Sequence, residues 1–147
     1  MDAAQGRNTG GHWEHFSHAA DIGVRGYGPT LEEAFAQAGV ALTAIVCNPD
    51  SVRAAQEVRV QCQAPDRELL LVDWLNAIIY EMATRKMLFA RYRVRMSGDG
   101  LIGFAAGEPV DRRRHRPAVE PKGATLTELR VARTADGGWL AQCVIDV

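Results

Sequence analysis

Between residues 31 and 46 the apolar side chains Leu31, Ala34, Phe35, Ala38, Leu42, Ile45 and Val46 recur at helical spacing and draw one continuous stripe. A stripe of that kind has to be covered by another element, so it commits the chain to a layered fold. Thr30 stands where an N-cap is needed and Glu33 follows three residues later, the pattern of a capping box. Pro49 disfavours helix at the residue before it. These signals predict a helix over 30–46. A second stripe, Leu70, Leu71, Trp74, Leu75, Ile78, Ile79 and Met82, follows Asp66 as N-cap and predicts a helix over Arg67–Arg85 lying deep against a sheet. Asp73, Asn76 and Tyr80 fall on its other side, a solvated face or a docking stripe, of which the solvated face is the simpler reading.

The remaining segments read as strands and turns. Residues 22–27 alternate apolar and polar, then Gly26-Tyr27-Gly28-Pro29 turns the chain. Val58, Val60 and Cys62 face one way in a strand over 57–63. Residues 88–96 and 101–107 flank Ser97-Gly98-Asp99-Gly100, a hairpin signature. Segments 125–132 and 139–147 close the chain as strands around Asp136-Gly137-Gly138. The expectation is one α+β domain over 12–147, an antiparallel or mixed sheet carrying two amphipathic helices, behind a disordered polar lead over 1–11.

Charge narrows the partners. The 147 residues carry a formal net charge of -1, so no global field draws the molecule to nucleic acid or an anionic membrane. The basic run 112–116 is diluted by Glu108, Asp111 and Glu120 and has no interleaved aromatic residue, so it reads as a solvated loop. No apolar run reaches membrane-spanning length and the N-terminus lacks a signal-peptide core, which points to the cytoplasm. Cys47, Cys62 and Cys143 are odd in number and widely spaced, as expected of reduced, buried thiols. His12, His15, His18 and Asp21 recur every third residue, but in a strand such residues alternate faces and cannot converge on zinc.

No nucleophile elbow, P-loop, His-Glu-x-x-His or Cys-x-x-Cys is present, and Gly26 and Gly28 lack the rest of a nucleotide loop. What remains is Asp21, in Ala19-Ala20-Asp21-Ile22-Gly23, and Asp146, embedded in the apolar run Cys143-Val144-Ile145-Asp146-Val147. If Val147 is the native terminus, its α-carboxylate joins them. These are hard oxygen ligands, suited to calcium or magnesium rather than zinc. Taken alone, Asp21 beside a glycine reads first as a turn residue, and Asp146 can have a lysine partner such as Lys122 or simple exposure at a strand end.

Three blocks, HAADIGVRGYGPTLEEAFAQAG, LLLVDWLNAIIYE and WLAQCVIDV, in that order, resemble the archeases, small proteins that assist the RtcB-type RNA ligase of tRNA splicing. The similarity runs over residues 13–147. It implies an archease-like fold and a divalent cation, calcium in the first place with magnesium or manganese as alternatives, held by Asp21, Asp146 and Val147, the last through a main-chain or terminal oxygen. It also implies an accessory role rather than enzymatic activity: no catalytic residues, promotion of ligase guanylylation and multiple turnover, and GTP and RNA bound by the ligase instead of this chain. The family's Glu-x-Lys-Ala-x-Thr-Tyr-His segment matches at Glu120, Lys122 and Thr125, which makes Lys122 the candidate for partner activation. Leu126-Thr127 stands in place of the Tyr-His pair. Two other classes stay open: a metal-dependent phosphoester hydrolase using Asp21 and Asp146, for which two carboxylates are few, and a general protein chaperone or adaptor without a metal role.

Overall fold

The computed structural model describes residues 6–7 and 10–147. Its elements, in chain order, are β1 (Gly6–Arg7), β2 (His12–His18), β3 (Asp21–Gly28), α1 (Leu31–Val46), β4 (Gln56–Gln63), α2 (Arg67–Arg85), β5 (Met87–Ser97), β6 (Gly100–Pro109), α3 (Arg112–His115), β7 (Gly123–Ala124), β8 (Arg130–Arg133) and β9 (Trp139–Asp146). The two long helices stand where their stripes and caps place them. The Thr30 hydroxyl accepts from the Glu33 N–H at 3.1 Å, and the Asp66 carboxylate accepts from the Leu69 N–H at 2.8 Å. All seven stripe residues of α2 are buried. Apart from β1, the expected lead over 1–11 lies largely outside the described residues.

Two sheets form, and every strand pair is antiparallel. One has the order β1-β2-β3-β9-β7, with β8 also paired to β9; the other is β4-β6-β5. Helix α1 lies between them, packed on β3 and β9 from one side and on β5 from another. Gly26 is what lets it settle on β3. A Cβ there would stand 2.2 Å from the Ala34 carbonyl oxygen and 2.3 Å from the Ala38 nitrogen, so any side chain would lift the helix off the sheet. Helix α2 covers the inner face of the three-stranded sheet through Trp74, whose ring fills the space above Gly103. The Trp74 indole N–H donates to the Phe35 carbonyl at 3.0 Å, tying the helices together. Full burial of Trp74, Leu71, Leu75 and Ile78 contributes about 1.5–3 kcal/mol each before the entropic cost of ordering them. The polar groups drawn in are met: buried Thr43 donates to the Phe89 carbonyl at 2.7 Å and contacts the Tyr92 hydroxyl at 2.6 Å. Among the described residues no helix is long and apolar enough to cross a membrane.

Three segments differ from the expectation. His12–His18, where the sequence predicts no strand of its own, is a full strand paired with β3 from His12↔Tyr27 to His18↔Asp21. The strand expected over 125–132 is broken. Regular ladder pairing with β9 is confined to Gly123–Ala124 and Arg130–Arg133, with Glu128 at a left-handed φ of 54° between them, although Thr125 and Thr127 still bond Val144 through the main chain. The run 112–116 is not a solvated loop. Asp111 caps a single helical turn there, Arg114 turns back onto Glu108, and His115 is buried.

Candidate functional site at one end of the six-stranded sheet

His18 and Asp21 close the two-residue β2–β3 turn, in which Ala19 adopts a φ of 52°. On the other side of β3, Ile22 pairs with Ile145, so Asp21 comes level with Asp146 one residue further along. Gly123 of β7 pairs with Asp146 in turn. A row of four positions, His18, Asp21, Asp146 and Gly123, thus crosses four adjacent strands. Directly opposed residues of antiparallel strands project from the same face, so the two carboxylates share one.

Main-chain hydrogen bonds fix this end. The Val147 N–H donates to Asp21 Oδ1 at 3.3 Å, and the Lys122 N–H donates to the Asp146 carbonyl at 2.8 Å. Asn76, on the outward side of α2, accepts from the Ala124 N–H at 2.8 Å, so this member of the presumed solvated face anchors β7. Thr125 donates from both its N–H and its hydroxyl to the Val144 carbonyl. Asp21, Asp146, Val147 and Lys122, four positions singled out in the sequence, therefore stand together. The two aspartates and Val147 are partly exposed and Lys122 is exposed. Among the described residues no lysine or arginine forms an ion pair with either aspartate.

The donor chemistry fits a hard cation. Two carboxylates with a neighbouring main-chain oxygen give a small oxygen set that water would complete. Among the described residues no group of three or more His, Cys, Asp or Glu is placed to hold a metal ion of any kind, so the set rests on two carboxylates and main-chain oxygen and lacks the side-chain ligands zinc needs. Two of the histidines have other tasks. The His15 ring Nε2 lies 2.8 Å from the Ala41 carbonyl of α1, and the His12 ring stacks on Tyr27 at 4.5 Å. The three thiols are free and buried. Burial pushes Cys143 up to about 12, and burial together with the Asp73 charge pushes Cys62 up to about 11, so neither is a reactive thiolate.

Beside Lys122 opens a groove of about 590 Å³ lined by Val46, Met82, Met87, Val110, Pro117 and Val119 among others. Further along lies the second charged centre, which the sequence did not disclose. Glu108 accepts from Arg114 at 2.7 and 2.9 Å, from the Arg53 N–H at 2.8 Å, and lies 2.9 Å from His115 Nε2. The Asp111 N–H donates to His115 Nδ1 at 2.9 Å, so the ring proton resides on Nε2 and is given to Glu108. Hydrogen bonds from Arg114, with those from Arg53 and His115, hold the Glu108 carboxyl far below the usual carboxylate range against the opposing effect of burial.

Comparison with known proteins agrees with this architecture. The archease protein family model matches residues 13–147. An archease of Pyrococcus furiosus is 37% identical over 139 residues, covering 92% of this chain and 98% of that protein. One of Methanosarcina mazei is 32% identical over 145 residues, covering 95% and 99%. The solution structure of Methanobacterium thermoautotrophicum protein 1598 superposes with a TM-score of 0.79 at 32% identity, covering 92% of this chain and 98% of that one. The crystal structure of a Thermotoga maritima archease, described as a possible chaperone, shares the fold with a TM-score of 0.57 at 19% identity, covering 90% and 94%. With the family match spanning nearly every described residue, and relatives above 30% identity covered almost end to end, the chain belongs to the archease family.

Proposed function

We propose that this protein is a cytoplasmic, metal-binding accessory factor that promotes guanylylation and multiple turnover of an RtcB-type RNA ligase, and is not itself an enzyme. The observation that supports this reading is the convergence of Asp21, Asp146 and Val147 beside Lys122, at a strand end where, among the described residues, no side-chain cation pairs with the carboxylates. Uncompensated carboxylates that share a face repel one another and favour a divalent cation, calcium first and magnesium or manganese as alternatives. When bound, such a cation supplies a positive centre toward which anionic oxygens of a partner can be drawn. The chain's own part is to orient the ligands. The Val147 N–H fixes Asp21, and the Lys122 N–H engages the Asp146 carbonyl so that the Asp146 side chain is left for the ligand. Lys122 then presents an exposed ammonium at the same edge for an anionic group of the ligase.

An accessory role of a broader sort, as in the possible chaperone of Thermotoga maritima, is the coarser form of the same reading. The deciding experiment measures transfer of GMP from labelled GTP to a cognate ligase with and without this protein. Faster labelling and repeated turnover are expected, and both should be lost in Asp21→Asn and Asp146→Asn. A ligase that labels and turns over equally well alone overturns the proposal. Faster labelling that survives both substitutions and chelation would leave an adaptor without a metal role.

A further inference from the structure

Whole-chain charge hides a local segregation on the three-stranded sheet. Alternation along β5 turns Val94 inward and sends Arg91, Arg93 and Arg95 outward, and all three are exposed. Across the central strand, Arg93 stands opposite Phe104, which pairs on its other side with Arg59 of β4. Arg91 and Arg95 flank Ala106 and Ile102 in the same register, with Glu57 and Gln61 beyond them. The exposed part of this outer face therefore carries four arginines and one acid, Glu57, which Arg93 contacts at 3.3 Å, while Glu108, two residues beyond Ala106 on β6, is covered by Arg114. Asp99 sits apart at the hairpin tip, held by Gln63. In a chain of net charge -1, that is a strong concentration of one sign.

The face is built as well as charged. The Arg93 guanidinium lies over the Phe104 ring, 4.2 Å from its centroid, while 66% of its side-chain surface stays exposed. The ring thus holds the guanidinium above it while most of the side chain stays open to a nucleobase. Residues two apart on a strand repeat at about 7 Å, comparable to the separation of successive phosphates along an extended single strand. Protection of the sheet edges explains charge on β4 and β5, but it does not call for an aromatic ring under one of the charges.

We propose that the outer face of β4-β6-β5 binds single-stranded nucleic acid, with Arg59, Arg91, Arg93 and Arg95 on the phosphates and the Arg93–Phe104 stack under a base. This surface lies on the other sheet from Asp21 and Asp146, and the proposal does not rest on the cation or the ligase. It departs from the expectation, drawn from net charge and from the family resemblance, that RNA is bound by the ligase instead of this chain.

The test is fluorescence anisotropy of a labelled mixed-sequence RNA of about 12 nucleotides, within the site sizes of single-strand binders, titrated with the full chain at low salt. Saturable binding is expected, weakening with salt on a log–log slope near -3 if four phosphates are met. Arg91→Gln/Arg93→Gln/Arg95→Gln should lose at least about tenfold in affinity, since each phosphate contact contributes to counterion release. Arg112→Gln/Arg113→Gln/Arg116→Gln, an equal change of charge elsewhere, should stay near wild type. Arg93→Lys, which keeps the charge and the fold but removes the planar stack, should lose a smaller factor. Absence of binding by the wild type, equal loss in the two triple variants, or tighter binding of polyglutamate than of RNA would each overturn the proposal, the last in favour of an acidic protein partner.

Discussion

The molecule has two acidic centres, and they differ in how their charge is met. Glu108 is 7% exposed and receives two hydrogen bonds from one guanidinium, one from a backbone N–H and one from a neutral imidazole. Asp21 and Asp146 are partly exposed, and among the described residues the hydrogen bond made to their side chains is a single one of 3.3 Å from the Val147 N–H. A buried charge with every lone pair engaged can do little except hold the structure in place, here fixing α3 and the turn at Ser51 onto β6. Carboxylates left without a positive partner at a strand end can take up a ligand. Satisfaction of charge, more than its presence, separates the structural centre from the candidate site.

The largest effect should come from breaking the satisfied centre. Glu108→Gln strips Arg114 of its anion inside the fold, and the melting temperature should drop on the order of 10 °C. Replacing both partners by apolar residues, Glu108→Leu/Arg114→Met, should recover part of that loss, because no orphaned charge remains. Thermal melts followed by circular dichroism decide this, and calorimetric titration should find cation affinity unchanged in both variants. A comparable loss of cation binding would mean that the two centres are coupled and the contrast between them is false.

Next in size is the ligand linkage at the unsatisfied centre. At a calcium concentration of a hundred times the dissociation constant, a cation binding only the folded state stabilises it by about 2.7 kcal/mol. Asp21→Asn and Asp146→Asn should abolish most of this gain. In the metal-free protein each should leave stability within about 0.5 kcal/mol of wild type, or raise it slightly, since one of two neighbouring like charges is removed. Melts with chelator and with excess calcium make the comparison. If either variant is severely destabilised without metal, its aspartate has a structural task.

A smaller effect sharpens the contrast through pH. The folded-state carboxyl of Glu108 titrates below its unfolded value, so its contribution is complete above the ordinary glutamate range and is lost only as the pH falls below it. The stability gap between wild type and Glu108→Gln should therefore stay constant from neutral pH to about 5, then close progressively below about 4.3, the ordinary glutamate value. Urea melts at several pH values test the sign. A gap that closes as the pH rises would contradict the assignment of Glu108 as the ionised partner.

What could be read from the sequence was whatever one element declares alone. The α2 stripe, its Asp66 cap and the Gly98-Asp99 hairpin turn each carry their whole signal locally, and all three are present. Strand β2 was hidden because its alternation is faint: Trp13 is buried on one face, while Phe16 lies over Gly23 on the other and beneath Arg25. The glycines that position the helices are set by their neighbours, as with Ala34 and Ala38 above Gly26, so their role is invisible until those neighbours are placed. Glu108 escaped notice for a related reason. Its pairing with Arg114 and His115 needs the reversal after Pro109, which turned an apparently diluted basic run inward. Asp21 and Asp146 were each legible as oddities, an acid in a small-residue context and an acid in an apolar run. Their adjacency came from the residue-by-residue register of β3 on β9.

The smallest structural effect, and the sharpest functional one, should belong to Lys122. Its N–H donates to the Asp146 carbonyl, an interaction that any residue other than proline retains, while its side chain is exposed. Lys122→Ala should therefore change stability by less than about 0.5 kcal/mol and leave calcium affinity within a factor of two or three. Lys122→Pro removes the donor and should loosen β7 from β9, lowering both stability and affinity. If Lys122 meets an anionic group on the ligase, the alanine variant should still bind calcium yet fail to accelerate guanylylation, and Lys122→Arg should restore part of the rate. Titration calorimetry and the labelling assay on the same preparations separate these outcomes. Full activation by Lys122→Ala would remove the side chain from the mechanism and leave only its backbone in the site. Loss of calcium binding in that variant would show instead that the ammonium helps to order the aspartates.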